Sequence, residues 1–198
     1  IHEATMTLWA IHKNGAEFQC YAPDVKQHHV LNHLTGQEMN EKRNVLIESA
    51  RIARGKIAAL ATFNPETADG LIIPGGFGAA KNLCSYAFDG TKCTVNNDVV
   101  TAIKAMSKAG KPIGALCIAP VILAKVLGKG TLTIGQDAGT AENIVAMGAQ
   151  HQATMQGEIA VDRDNKLVTT PCYMLNSRLD QIGDGADNLV RAMLEMME

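Results

Sequence analysis

Cys117 closes an apolar run, Pro112 to Leu116, and precedes a helix-forming segment, Val121 to Lys125. A cysteine between a buried strand and a helix sits on a sharp turn. Its sulfur projects past the sheet edge, with the helix amides close behind it. Such amides favour the thiolate, which is the nucleophilic form. The layout is that of a nucleophile elbow with cysteine as the nucleophile. A second special turn, Pro74-Gly75-Gly76-Phe77-Gly78, follows the apolar Leu71-Ile72-Ile73. Glycines let backbones approach closely and leave amides unencumbered. The amides of Gly76 and Ile118 are therefore expected to form an oxyanion hole beside Cys117. A nucleotide site is not indicated, because neither the dinucleotide-binding glycine fingerprint nor the phosphate-loop signature occurs.

The elements that must position these turns follow from periodicity. Ile1, Ala4, Leu8 and Ile11 have helical spacing, and Asn14-Gly15 ends that helix. Glu17 to Ala22 alternates as a strand. Lys26 to Asn40 reads as a loop excursion or hairpin, Glu41 to Arg54 as a helix stopped by Gly55, and Lys56 to Leu60 as a short strand. Ala79 to Leu83 starts a helix, Val95 to Ala109 is another, and Leu132 to Ile134 is a strand. Thr140 is the expected N-cap of a helix over Ala141 to Met147. Glu158 to Val161 and Leu167 to Thr170 flank a hairpin turn, and Leu179 to Met197 reads as a terminal amphipathic helix, irregular at Gly183-Asp184-Gly185. Strands alternate with helices, and the central strands are apolar throughout. That pattern implies an α/β fold with a mostly parallel sheet covered on both faces. In such sheets the site lies at the carboxyl ends of the strands, where both special turns fall.

The chain has 198 residues, 46% of them hydrophobic, and a net charge of −2, enough for one sizeable core and one domain. No basic run and few aromatics argue against nucleic acid or an anionic membrane as partner. Every apolar stretch is broken well short of a membrane span. The five cysteines, Cys20, Cys84, Cys93, Cys117 and Cys172, show neither metal-site spacing nor a disulfide framework, which suits a reducing compartment.

Pro74-Gly75-Gly76 followed by Gly114-x-x-Cys117, together with Asn32-His33-Leu34-Thr35-Gly36, Arg43-Asn44-Val45-Leu46, Cys117-Ile118-Ala119-Pro120 and Val168-Thr169-Thr170-Pro171, resembles the ElbB or ES-one-type family. That family belongs to the class I glutamine-amidotransferase-like superfamily of PfpI-type proteins and the deglycase. The resemblance runs nearly end to end. It implies a three-layer α/β/α sandwich, flavodoxin-like, as a single domain over residues 1–198. It also implies an N-terminal strand and a glycine-rich acidic loop before Ile1. On this resemblance Cys117 and Glu3 are the catalytic pair, and Gly76 and Ile118 supply the oxyanion-hole amides. Read by itself, Glu3 is a solvated helix residue.

One departure matters. Hydrolytic members of the superfamily place a histidine directly after the cysteine, and this chain has Ile118. The usual base for acyl transfer is missing there. His2, His33 and His151 remain as candidate bases, His151 reading more readily as structural. Asn82, Lys81, Asn44, Asp137 and His33 are candidate pocket residues, with helix capping and surface solvation as their plain alternatives. The resemblance implies a glyoxalase-like lyase that converts glyoxal or a related small dicarbonyl to a 2-hydroxy acid, without glutathione, metal or other cofactor. A redox-sensing protein with an oxidisable Cys117 is the alternative, and an amidotransferase or protease is disfavoured by Ile118. The expected partners are a small carbonyl substrate and a second copy in a homodimer, with Met193, Met196 and Met197 suited to that surface. Neither nucleic acid nor membrane is expected. The expected location is the bacterial cytosol, or the mitochondrion in a eukaryote.

Overall fold

The computed structural model describes residues 1–197 and divides into two compact units, Gln19–Phe63 and the remainder, Ile1–Phe18 with Asn64 onward. Glu198, the last residue of the expected domain span, lies outside the described residues. Among the described residues no helix is long and apolar enough to cross a membrane.

The chain opens with α1 (His2–Lys13). The smaller unit follows: β1 (Cys20–Ala22), a hairpin of β2 (Val30–Leu31) and β3 (Glu38–Met39), α2 (Val45–Ile52) and β4 (Ile57–Ala59). β1 and β4 pair in parallel, so α2 is the crossover between them, and β2 and β3 pair antiparallel as the expected hairpin. The helix expected from Glu41 begins only at Val45. The side chain of Asn44 accepts the amide of Ile47 at 3.0 Å and so sets the start.

The larger unit continues with β5 (Leu71–Ile73), a π-turn over Ala79–Leu83, the short α3 (Tyr86–Asp89) and α4 (Asn97–Lys108). Then come β6 (Ile113–Leu116), α5 (Pro120–Leu127), β7 (Thr131–Leu132), α6 (Ala138–Ala146), β8 (Gln150–His151), β9 (Ala160–Asp162), β10 (Leu167–Thr170) and α7 (Leu179–Glu195). Its central sheet runs β5-β6-β10-β9. β6 is parallel to both β5 and β10, and only the edge strand β9 is antiparallel. β7 and β8 form a separate parallel pair.

β6 and β10 are buried at every position, as strands covered on both faces must be. Side chains alternate across β6. Leu116 joins Val168, Ile182, Leu189 and Met193 in a core cluster built with α1 and α7. Gly114 lies on that same face. A Cβ there would meet Met193 Sδ at 2.6 Å and Leu189 Cδ2 at 2.8 Å, so glycine is what lets α7 close onto the sheet. Ile113 and Ala115 face the other layer, which α4 and α5 cover. Helices on both faces of a mostly parallel sheet are the expected three-layer α/β/α sandwich.

One expectation fails around α7. Gly183 and Gly185 do not interrupt it. A Cβ on Gly185 would lie 2.6 Å from Thr170 Oγ1, so this glycine brings the helix down onto β10. Of the three methionines expected on a partner surface, Met193 is buried in its own chain, whereas Met196 is half-buried against the core and Met197 is exposed.

Candidate functional site

Leu116 pairs with Thr170 at the carboxyl ends of β6 and β10, and the chain turns sharply one residue later. Cys117 has φ +59°, a left-handed conformation that costs a non-glycine residue on the order of 1–3 kcal/mol. Its amide donates to Thr170 O at 2.9 Å, and Ala119 N reaches back to Leu116 O at 3.0 Å. Pro120 then opens α5 at a position where its missing N–H costs nothing. Strand, strained cysteine and helix are the elbow read from the sequence.

The Pro74-Gly75-Gly76 turn follows β5, on the other side of β6. A Cβ on Gly75 would sit 2.4 Å from Leu116 O and 2.5 Å from Cys117 Cβ. Only glycine permits the two turns to touch. That contact brings the amide of Gly76, itself at φ +92°, and the amide of Ile118 into hydrogen-bond reach of the Cys117 sulfur. The two amides expected to form an oxyanion hole therefore converge on the cysteine.

Glu3 arrives from a different layer. It lies in the first turn of α1, which packs along α7, and is only 5% exposed. Its carboxyl lies close enough to the Cys117 sulfur for its charge to raise the thiol. The far end of α1 is fastened by Asp187 of α7, which accepts Lys13 Nζ at 3.0 Å and Asn14 Nδ2 at 2.8 Å. The plain reading of Glu3 as a solvated helix residue is therefore excluded.

The resting protonation state differs from the expectation of a preformed thiolate. Burial pushes the Cys117 thiol above its ordinary value, and the Glu3 charge pushes the same way. The Gly76 and Ile118 amides pull it down, but the net shift is upward. At neutral pH Cys117 rests as the thiol. The helix amides behind the elbow are outweighed because the sulfur is nearly sealed from water.

The other candidates make local contacts of their own. Asp137 is the N-cap of α6 and accepts Thr140 N at 2.8 Å, so Thr140 is not the cap itself. Those Thr140 contacts hold Asp137 below the usual carboxylate value. Asn82 donates back to Gly78 O within its own turn at 3.0 Å, and Lys81 Nζ lies 5.1 Å from the centre of the exposed Phe77 ring. Asn44 and His33 belong to the smaller unit. Asn44 caps α2 and donates to Asp24 at 2.7 Å, while His33 is exposed in the turn joining β2 to β3. His151 is half-buried in β8, its basicity lowered by burial, with Nε2 3.5 Å from the amide of Ile134. That is a structural role.

Two residues near the centre escaped the sequence reading. Cys172, buried and at φ +44°, follows Pro171 at the end of β10. Burial raises its thiol, and the charges of Cys117 and Glu3 act the same way. Tyr173 comes next, and its hydroxyl meets His2 Nδ1 at 2.8 Å. Burial, Glu3 and Cys172 all raise its pKa. The signal was the continuation of Val168 to Pro171 by one residue, because the strand beside a nucleophile's strand ends beside the nucleophile.

No family model matches the chain. It is 49% identical over 206 residues to human glutamine amidotransferase-like class 1 domain-containing protein 3, mitochondrial, an alignment that takes in 99% of this chain and 77% of the relative. The crystal structure of an isoprenoid biosynthesis protein with an amidotransferase-like domain from Ehrlichia chaffeensis superposes with a TM-score of 0.93 at 32% identity, covering 100% of this chain and 91% of that one. A ThiJ/PfpI domain protein from Brachyspira murdochii, at 11% identity, shares the fold with a TM-score of 0.61 over 98% of this chain and 89% of its own. The cysteine elbow, the glycine turn that touches it and these similarities agree: the chain belongs to the ElbB/ES1 family of the class I glutamine-amidotransferase-like, PfpI superfamily.

Proposed function

We propose that the protein is a glutathione-independent glyoxalase that converts glyoxal, or a related small dicarbonyl, to a 2-hydroxy acid through Cys117. The observation that carries this reading is the buried Glu3 carboxyl set beside the Cys117 elbow, where its charge acts on the sulfur, with the Gly76 and Ile118 amides acting on the same sulfur. As the sulfur attacks an aldehyde carbon, Glu3 takes the thiol proton, so no standing thiolate is needed. The developing alkoxide lies next to the sulfur, within range of the Gly76 and Ile118 amides. Glu3 passes that proton to the alkoxide, and the freed carboxylate then takes the hemithioacetal C–H proton to give an enediolate. Reprotonation at the neighbouring carbon gives a thioester of the hydroxy acid, and water releases the acid and restores the thiol. The sum is dicarbonyl plus water to hydroxy acid.

Ile118 favours this chemistry over amide hydrolysis. Expelling an amine requires an acid to protonate it, the task of the histidine that hydrolytic relatives carry after their cysteine. An aldehyde has no leaving group to protonate. The human relative is named as mitochondrial, and five unpaired cysteines suit a reducing compartment. We place the protein in such a compartment, the bacterial cytosol or the mitochondrial matrix.

The test is glycolate formation from glyoxal by the purified chain with no added thiol or metal. Cys117→Ser is expected to lower kcat/KM at least a hundredfold. Glycolate formation that survives this substitution overturns the reading.

A further inference from the structure

We propose that Cys172 is a resolving thiol for Cys117, so that oxidation of the site by a hydroperoxide ends in a Cys117–Cys172 disulfide rather than in irreversible over-oxidation. The argument rests on where the fold puts a second nucleophile that the glyoxalase chemistry does not use. β6 and β10 are neighbours, spaced by about 4.8 Å as paired strands are. Their last paired residues, Leu116 and Thr170, are in register. One cysteine follows each strand end within two residues, and the amide of Cys117 is tied to Thr170 O at 2.9 Å. Both cysteines adopt the left-handed backbone conformation, φ +59° and +44°, so each chain turns at its sulfur-bearing residue instead of carrying it onward. Both side chains belong to one buried cluster. The two sulfurs are near enough for Cys117 to act on the Cys172 thiol. Neighbouring strand ends are where two residues can come within the Cα separation of up to about 7 Å that a disulfide spans.

The remaining cysteines do not share this placement. Cys84 and Cys93 lie on either side of α3, and Cys20 is in the smaller unit. Cys84 Sγ is engaged with the carbonyl oxygens of Ala79 and Ala80 at 3.6 and 3.7 Å.

The chemistry balances with a hydroperoxide as oxidant. The Cys117 sulfur attacks the terminal peroxide oxygen, the O–O bond breaks, and the products are a Cys117 sulfenic acid and an alcohol, or water from hydrogen peroxide. Cys172 then attacks the sulfenic sulfur. An S–S bond forms, the S–OH bond breaks, and the thiol proton leaves with the hydroxide as water. Glu3, whose charge is felt by both sulfurs, is placed to carry that proton. Burial holds Cys172 firmly as the thiol, so it does not compete for the peroxide or for an aldehyde. Disulfide formation removes the Cys117 nucleophile, and a small thiol reductant restores it.

The experiment treats the full chain with graded hydrogen peroxide and blocks the remaining thiols under denaturing conditions. The peptides carrying Cys117 and Cys172 are then mapped by mass spectrometry. The wild type is expected to give the Cys117–Cys172 cross-linked peptide, removed by dithiothreitol. In Cys172→Ser, Cys117 is expected to pass to the sulfinic acid at a peroxide dose at least fivefold lower than in the wild type. The wild-type cross-link needs no variant, so it decides the matter even if Cys172→Ser does not fold. Sulfinic acid at Cys117 at equal dose in both proteins, or a wild-type cross-link to Cys84 or Cys93 instead, overturns the proposal. None of these readouts depends on glyoxalase turnover, so the two readings fail separately.

Discussion

Glu3 acts on the Cys117 thiol from close by, and the direction of its effect makes a sharp test. Burial is the largest influence holding the Cys117 thiol up, and the Glu3 charge adds to it. Glu3→Gln removes that charge and keeps a polar group of similar shape. The thiol pKa should then fall, and the midpoint of the pH profile for iodoacetamide alkylation should move to lower pH. Turnover should move the other way, because the base that receives the thiol proton is lost; a drop of about a hundredfold is expected, within the usual range for a general base. A variant with faster alkylation and slower turnover identifies Glu3 as a proton acceptor. Slower alkylation at neutral pH would show instead that Glu3 stabilises the thiolate. This distinction was not visible in the sequence. The cysteine, its turn and its two amides were readable from strand, glycine and helix signals. The sign of the pKa shift depends on how completely α1 seals the sulfur, which is a property of packing. Asp137 rather than Thr140 caps α6 for a related reason, since a carboxylate three residues before Thr140 satisfies a helix start equally well.

At the scale of elements, two turns that are far apart in sequence must touch, and Gly75 is where they do. A methyl group there would overlap Leu116 O and Cys117 Cβ, one of which is backbone and neither of which can rotate away. Gly75→Ala should therefore cost about 1–3 kcal/mol of stability and displace the Cys117 elbow. Gly78 lies in the same turn region but has helical φ and nothing within 4 Å of an added Cβ. Gly78→Ala should stay within about 0.5 kcal/mol of the parent. Urea denaturation of both variants, with Cys117 alkylation rates alongside, checks the contrast; equal effects would mean the turn tolerates movement. Element type was recovered well along the chain because strands and helices differ in apolar period. Boundaries moved where side chains cap. Asn44 and Asn96 start α2 and α4 four and two residues inside the expected spans, since each supplies an acceptor for the first free amides. The strand expected from Glu17 is paired only from Cys20, where β4 offers a partner.

At the scale of the whole molecule, the site depends on α1 being held against α7, and much of that hold converges on Asp187. Burial alone would raise its pKa, but hydrogen bonds from Asn14 and Lys13 and the nearby Arg191 charge bring it below the ordinary carboxylate value. A group whose folded pKa is depressed contributes stability above its unfolded value, about 3.9 for aspartate, and loses it as pH falls through the folded value. Asp187→Asn keeps the shape and one acceptor but loses the charge. At pH 7 the variant should be less stable by about 1 kcal/mol, the scale of a charge-assisted hydrogen bond partly open to solvent. As pH falls from about 4 through the depressed folded value the wild-type carboxylate takes up a proton, so the difference should shrink toward zero. Urea midpoints of the two proteins at pH 7 and pH 3 measure this directly. A gap that persists unchanged at pH 3 would assign the contribution of Asp187 to fit rather than to charge. Loosened α1 also carries Glu3 away from the sulfur, so at pH 7 the same substitution should slow turnover while leaving the thiol itself in place. Asp187 does not touch the site, and its effect on turnover would measure how far the cysteine's chemistry is set by the packing of two helices.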